Sequence, residues 1–164
     1  MGLKPNIPRP ETVSRAGRLG ELAVIALLLI LAAFFWLHLS QSTGFFTAGF
    51  GPLAAAALFG PIVIALVPPA LRAATGRRNP ARPFEAAANL ALALGSLYLL
   101  ITFPLSYAHL ADLLPAWLRF LLAWITDGIG RAVMVFQVVF MPISAAVNLW
   151  RYFSPPRRPA PNPS

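Results

Sequence analysis

The sequence predicts an all-α integral membrane protein, a four-helix bundle of membrane spans with a short interfacial helix before the last span. Composition, the length of the apolar segments and the placement of charge lead to this prediction. Of 164 residues, 58% are apolar and 11% are charged, and the mean hydropathy is +0.70. Soluble domains contain about 25% charged residues, and disordered chains are poor in apolar residues. The composition therefore excludes both classes, and the length fits one domain.

The first span is predicted at residues 22–39, a run of 18 residues without Asp, Glu, Lys or Arg. A helix of that length extends about 27 Å, close to the thickness of the hydrocarbon core. A signal peptide has a shorter apolar region and a small-residue cleavage site after it, whereas polar Gln41 and Ser42 follow here. We therefore expect a retained membrane anchor after a basic N-terminal segment, residues 1–20.

The second and third spans are predicted at about residues 45–67 and 85–107. The second contains two internal prolines, which membrane helices tolerate when neighbours satisfy the freed carbonyl groups, so we expect a kinked span. The pair Pro68 and Pro69 is expected to close it. Pro104 is expected to kink the far end of the third span.

The position of the fourth span depends on three charged residues in an otherwise apolar region. A span containing all three would cost about 2.5–3.5 kcal/mol for each one. Residues 132–150 contain none of them, so the fourth span is predicted there. Residues 113–126 are then predicted to form a short helix in the membrane interface, with a broad apolar face. The three charged residues are Arg119, Asp127 and Arg131.

The basic residues predict the orientation of the bundle. Four lie in the N-terminal segment, four in the loop after the second span and three in the C-terminal region, against two on the opposite side. Basic residues concentrate on the cytoplasmic side, so both termini are expected there, in a plasma (bacterial inner) membrane. The net charge of +8 suggests contact with anionic lipids. It does not suggest nucleic acid, because no aromatic residues interleave with the arginines. Residues 154–164 form a Pro-rich tail.

Small residues at a spacing of four predict how two spans pack. Ala56 and Gly60 lie in the second span, and Ala87, Ala91 and Gly95 lie in the third. Small side chains let helix backbones approach closely in a membrane, so we expect the two spans to meet there. The alternative is that alanine and glycine are simply frequent in membrane helices.

Polar residues of the fourth span share one helix face. Gln137, Ser144 and Asn148 are expected to form hydrogen bonds between helices, since polar groups avoid lipid. The alternatives are a polar path through the membrane or contact with another subunit.

Asp127 and Arg131, at positions i and i+4, are predicted to form an ion pair.

The two histidines are candidates for cofactor binding. His38 and His109 end the first and third spans, so both are expected near the outer interface. They could coordinate a haem iron or the magnesium of a chlorophyll-type pigment, with Asp112 orienting His109. The alternative is that both are interfacial side chains bonded to water and headgroups, in which case no cofactor binds.

The motifs that the sequence lacks restrict the function. There is no cysteine and no Asp, Glu, Lys or Arg at the centre of a span, and no HExxH, nucleophile-elbow or Gly-rich phosphate motif occurs. We therefore expect a non-catalytic subunit or scaffold of a larger membrane complex, with other membrane subunits or a second copy as partners. One alternative is a small homo-oligomeric transporter or channel, and another is a haem- or pigment-binding subunit.

Overall fold

The computed structural model describes residues 12–154, and the regular secondary structure of this part of the chain is helical, with no β-strand. The all-α prediction is confirmed. Four segments are long and apolar enough to cross a membrane, so the protein is a multi-pass membrane protein. The first residues of the predicted N-terminal segment, 1–11, and the tail after residue 154 lie outside the described part. The helices are α1 (Arg15–Ser40), α2 (Pro52–Ala65), α3 (Val67–Thr75), α4 (Arg82–Thr102) and α5 (Asp127–Phe153).

The first span, α1, is longer than predicted because a cap sets its start. The side chain of Ser14 accepts a hydrogen bond from the backbone N–H of Gly17 at 3.1 Å, which satisfies one of the free donors of a helix N-terminus. The helix therefore begins at Arg15 and not at residue 22.

The second span is formed by α2 and α3, which are separated by Leu66. Residues 45–51, predicted to be helical, form a loop with a turn instead, and α2 begins at Pro52. Pro68 and Pro69 do not close the span. They occupy the first turn of α3, where a missing backbone N–H costs nothing. The span ends at Thr75, where Gly76 adopts a left-handed conformation with φ +65°.

The third span, α4, ends before Pro104. Phe103 has φ +40° and donates its backbone N–H to the carbonyl of Leu99 at 2.8 Å. The residue before a proline is disfavoured in helical conformation, so the chain becomes extended here and no kinked helix continues to residue 107. Leu105 then forms an antiparallel bridge with Phe46.

The fourth span, α5, begins at Asp127, where the side chain of Thr126 caps the helix. A carboxylate in the first turn interacts favourably with the helix dipole, which accounts for a start earlier than residue 132. The short helix predicted at 113–126 is present, but it covers only part of that range and is of the 3-10 type. The structure has a 3-10 helix, Ala116–Leu121, because Pro115 is extended (φ −53°, ψ 149°) and the turn closes through a bond from Leu118 N–H to its carbonyl.

The bundle has α4 at its centre, packed against α2 on one side and α5 on the other, while α1 packs mainly against α3. We call the end of the bundle that carries Arg72, Arg82 and Arg151 the basic end. The opposite end, with His38 and His109, is the histidine end. At the basic end, Val13 donates a backbone hydrogen bond to Gly76 at 2.8 Å. Both ends of the described chain therefore lie on one side of the bundle.

Candidate functional site

His38, the first predicted cofactor ligand, is fully buried at the histidine end. Its Nε2 lies 3.2 Å from the backbone oxygen of Leu110, and its Nδ1 lies 2.5 Å from the hydroxyl of Thr43. A carbonyl oxygen only accepts, so Nε2–H donates to Leu110 and the neutral ring accepts from Thr43 at Nδ1. Phe34 and Phe45 enclose the ring, with centroids 4.7 and 5.0 Å away.

The hydrogen bonds of His38 do not fit a haem or pigment ligand. A metal ion binds a histidine through a ring nitrogen, and both nitrogens of His38 have protein partners. The geometry instead makes His38 a structural connection from α1 to the segment after α4.

His109 is more exposed than His38. Its Nδ1 lies 2.8 Å from the carboxylate of Asp112, so Asp112 orients this ring as the sequence suggested, and both side chains are well exposed. The ring lies against Gly44, which has φ +95°, and a Cβ there would approach the imidazole Cδ2 to 3.0 Å. His109 thus packs on the loop after α1.

Asp127 and Arg131 do not form the predicted ion pair. Asp127 accepts a hydrogen bond from the backbone N–H of Tyr107 at 2.8 Å. The guanidinium of Arg131 lies over the ring of Phe103, 3.8 Å from its centroid, a cation–π contact. The two side chains therefore attach the segment after α4 to the first turns of α5.

Tyr107 completes this attachment. Its ring packs directly on Gly130 of α5, at a position where a Cβ would overlap the ring. Burial, and secondarily the negative charge of Asp127, raise the pKa of the Tyr107 hydroxyl above its usual value of 10.0. The side chain therefore stays neutral in the physiological range.

The predicted contact between the second and third spans forms, and of its two predicted glycines only Gly95 is tightly packed. Gly95 lies against the Ala57 carbonyl and the ring of Pro61, and a Cβ at position 95 would overlap the carbonyl. A Cβ at Gly60 would meet nothing within 4 Å. Of the other predicted residues, three line a shallow apolar groove beside this contact: Ala56, Gly60 and Ala91. Ala87 is exposed.

The polar face of α5 is divided between two environments. The hydroxyl of Ser96 on α4 donates to the side-chain oxygen of Gln137 at 2.6 Å, so the expected bond between helices forms there. Ser144 is half-buried. Asn148 lies farther along the helix and lines a polar cavity at the basic end.

An ionic cluster at the basic end is the main feature that the sequence reading missed. The guanidinium of Arg72 binds both carboxylate oxygens of Glu21, at 2.7 and 2.8 Å, and also binds Glu85. The three side chains are 16–28% exposed, so solvent screens the contacts only in part. The cluster joins α1, α3 and α4. Its only signal in the sequence is that Glu21 and Glu85, two of five acidic residues, lie near the ends of predicted spans.

No protein-family model matches this chain, and no curated protein or solved structure matches it either. Its function is therefore argued from its own residues.

Proposed function

We propose that the protein is a non-catalytic subunit of a larger complex in a plasma membrane, with both termini in the cytoplasm. The observation that supports it most is the bond between Ser96 and Gln137. The side chain of Gln137, at the middle of α5, is thus used to join two helices. In a transport path the same side chain would have to face water or substrate. Among the described residues that are not exposed, every fully covered side-chain nitrogen or oxygen has a hydrogen-bond partner.

The second support is the apolar surface of α1. Only His38 is buried along this helix, and the half-buried residues between its ends, such as Ile25, Leu28 and Ala32, recur every three or four positions. One stripe of the helix thus contacts the bundle. The rest of its apolar surface is left for lipid or for another chain.

Both ends of α1 are attached by polar contacts. Glu21 binds Arg72 at the basic end, and His38 binds the Leu110 carbonyl at the histidine end. A helix held at both ends presents its outer face in a defined orientation, which lowers the entropy lost when a partner helix packs on it. Close packing against such a partner is how membrane helices associate.

Photo-crosslinking tests the proposal. A photoreactive amino acid is placed at Leu27 or Ile30, each 66% exposed, and at half-buried Leu28 as the matched control. In native membranes we expect one dominant cross-linked polypeptide from positions 27 and 30, at much lower yield from position 28. Cross-links to a second copy of this chain would favour the homo-oligomeric alternative, and cross-links to lipid alone would contradict the proposal.

Ion flux separates a subunit from a transporter. Purified protein in liposomes is expected to produce no flux with a panel of monovalent and divalent ions. A flux that Gln137→Leu abolishes would contradict the proposal and support α5 as the lining of a path. The fold of the variant would be checked by its helical circular dichroism.

A further inference from the structure

Two polar pockets that share three lining residues lie at the basic end, beside the ionic cluster; we call them together the cavity, one pocket being its inner part and the other its outer part. Its inner part, about 310 Å³, is lined by Asn148 and by six charged side chains, four of them arginines and two of them glutamates. Its outer part, about 540 Å³, is lined by three of the same arginines and, among residues 12–154, by no acidic residue. The shared residues are Arg78, Arg82 and Arg151.

The charge in the cavity is unequally distributed. Arg72 engages both glutamates of the inner wall, Glu21 and Glu85. Arg78 and Arg151 have no carboxylate within ion-pair distance among residues 12–154. The side chain of Arg82 donates to the backbone oxygen of Arg151, which brings α4 and the end of α5 together at the wall. The described residues that line the cavity therefore carry a net positive charge.

The position of the cavity indicates which anions reach it. It lies where α1 and α4 begin and α3 and α5 end, and Trp150, whose side chain is 75% exposed, lines its outer part. Tryptophan concentrates at the level of lipid headgroups. Guanidinium groups match phosphate oxygens with paired hydrogen bonds, and basic pockets between membrane helices bind anionic headgroups.

We propose that this cavity binds the phosphate group of an anionic ligand at the membrane surface. Arg78 and Arg151 recognise the phosphate from two sides, and the amide of Asn148 supplies a neutral donor at the inner wall. The volume of each part lies within the range of about 300–1,000 Å³ that small-molecule sites occupy. Two sources share this chemistry, an anionic phospholipid headgroup and free phosphate.

The test uses full-length protein in a mild detergent, with bound lipid quantified by native mass spectrometry. Phosphatidylglycerol and zwitterionic phosphatidylcholine are offered in equal amounts, and the wild-type chain is expected to retain phosphatidylglycerol preferentially. Arg78→Gln and Arg151→Gln are each expected to weaken its binding about fivefold. Arg77→Gln is the matched control, because Arg77 belongs to the same loop and does not line the cavity.

A second arm identifies the source of the phosphate. If millimolar inorganic phosphate displaces phosphatidylglycerol from the wild type and not from Arg78→Gln, the site accepts the free anion. If phosphate has no effect while the lipid preference persists, the acyl chains are required and the ligand is a lipid. Both results support the phosphate site.

Two results would overturn the proposal. One is equal retention of the two lipids by the wild-type chain, a result that requires no variant. The other is a loss with Arg77→Gln as large as with Arg78→Gln, which would indicate general attraction to a basic surface. If a glutamine variant fails to fold, Arg78→Lys replaces it. Lysine keeps the charge and lacks the paired donors, so weaker binding is still expected, and unchanged binding would overturn the proposal.

Discussion

Gly95 of α4 lies directly against the backbone carbonyl of Ala57 in α2, with no space for a side chain between them. This contact lies between the packed faces of α2 and α4. A substitution there cannot be accommodated by rotating a flexible side chain, because the obstructing atom belongs to the backbone.

Gly95→Ala is therefore expected to lower the free energy of unfolding by about 1–3 kcal/mol, the usual cost of overpacking. Gly60→Ala, in the same pair of helices, is the control. Its new methyl group meets open space, so the change is expected to be neutral or to stabilise by up to about 1 kcal/mol through helix propensity. Unfolding in mixed detergent, followed by circular dichroism, measures both. Equal losses in the two variants would contradict the packing.

His38→Phe removes a ring that donates to the Leu110 carbonyl and accepts from Thr43. It leaves a buried carbonyl without its donor, so we expect a loss of about 1–3 kcal/mol. His109→Phe removes an exposed contact with Asp112 and is expected to cost less than about 1 kcal/mol. Thermal unfolding of the two variants gives the comparison. A costlier change at position 109 would refute the structural role of His38.

Arg72→Met leaves Glu21 and Glu85 close together without a cation. Breaking a buried ion pair from one side costs about 3–5 kcal/mol. These groups keep some contact with water, so a loss of about 2–4 kcal/mol is expected. Adding Glu21→Gln and Glu85→Gln to this variant should recover part of the loss. If the triple variant is less stable than Arg72→Met alone, the carboxylates do not depend on Arg72 for compensation.

The bond between Ser96 and Gln137 is tested by a double-mutant cycle with Ser96→Ala and Gln137→Leu. Hydrogen bonds between membrane helices contribute about 0.6 kcal/mol on average and about 1.7 at most. We expect a coupling energy in that range, measured by unfolding in mixed detergent. Additive effects of the two substitutions would mean that the bond contributes nothing to stability.

Reporter fusions test the orientation. The N-terminal side of α1, the loop before α4 and the end of α5 lie at one end of the bundle, and the basic residues concentrate there. A fluorescent protein fused after residue 164 is expected to fluoresce, and alkaline phosphatase fused there to be inactive. An insertion at Ala48, in the loop between α1 and α2, should give the opposite pattern. An active phosphatase at the C-terminus would reverse the orientation.

The existence of the four apolar helices could be predicted because hydropathy over a long window reports it directly. Their ends could not, since they depend on local caps and turns. Ser14 extends α1, Gly76 ends α3, and Phe103 ends α4 before Pro104. The prolines expected to end the second span lie in the first turn of α3, where a new helix begins.

The contacts of charged residues were harder to predict than the helices. Asp127 and Arg131 are four residues apart, yet each binds a group in the segment after α4. The partners of Arg72 are 51 and 13 residues away along the chain, so only the packing of α1, α3 and α4 brings them together. Gln137 was assigned the correct type of contact because polar groups in a span have few alternatives.

Purification from native membranes in a mild detergent, with native mass spectrometry of the intact particle, tests the proposed role most directly. We expect a colourless particle that contains this chain and at least one other polypeptide in a fixed ratio. A particle made of this chain alone, as a monomer or a homo-oligomer, would contradict the proposed role.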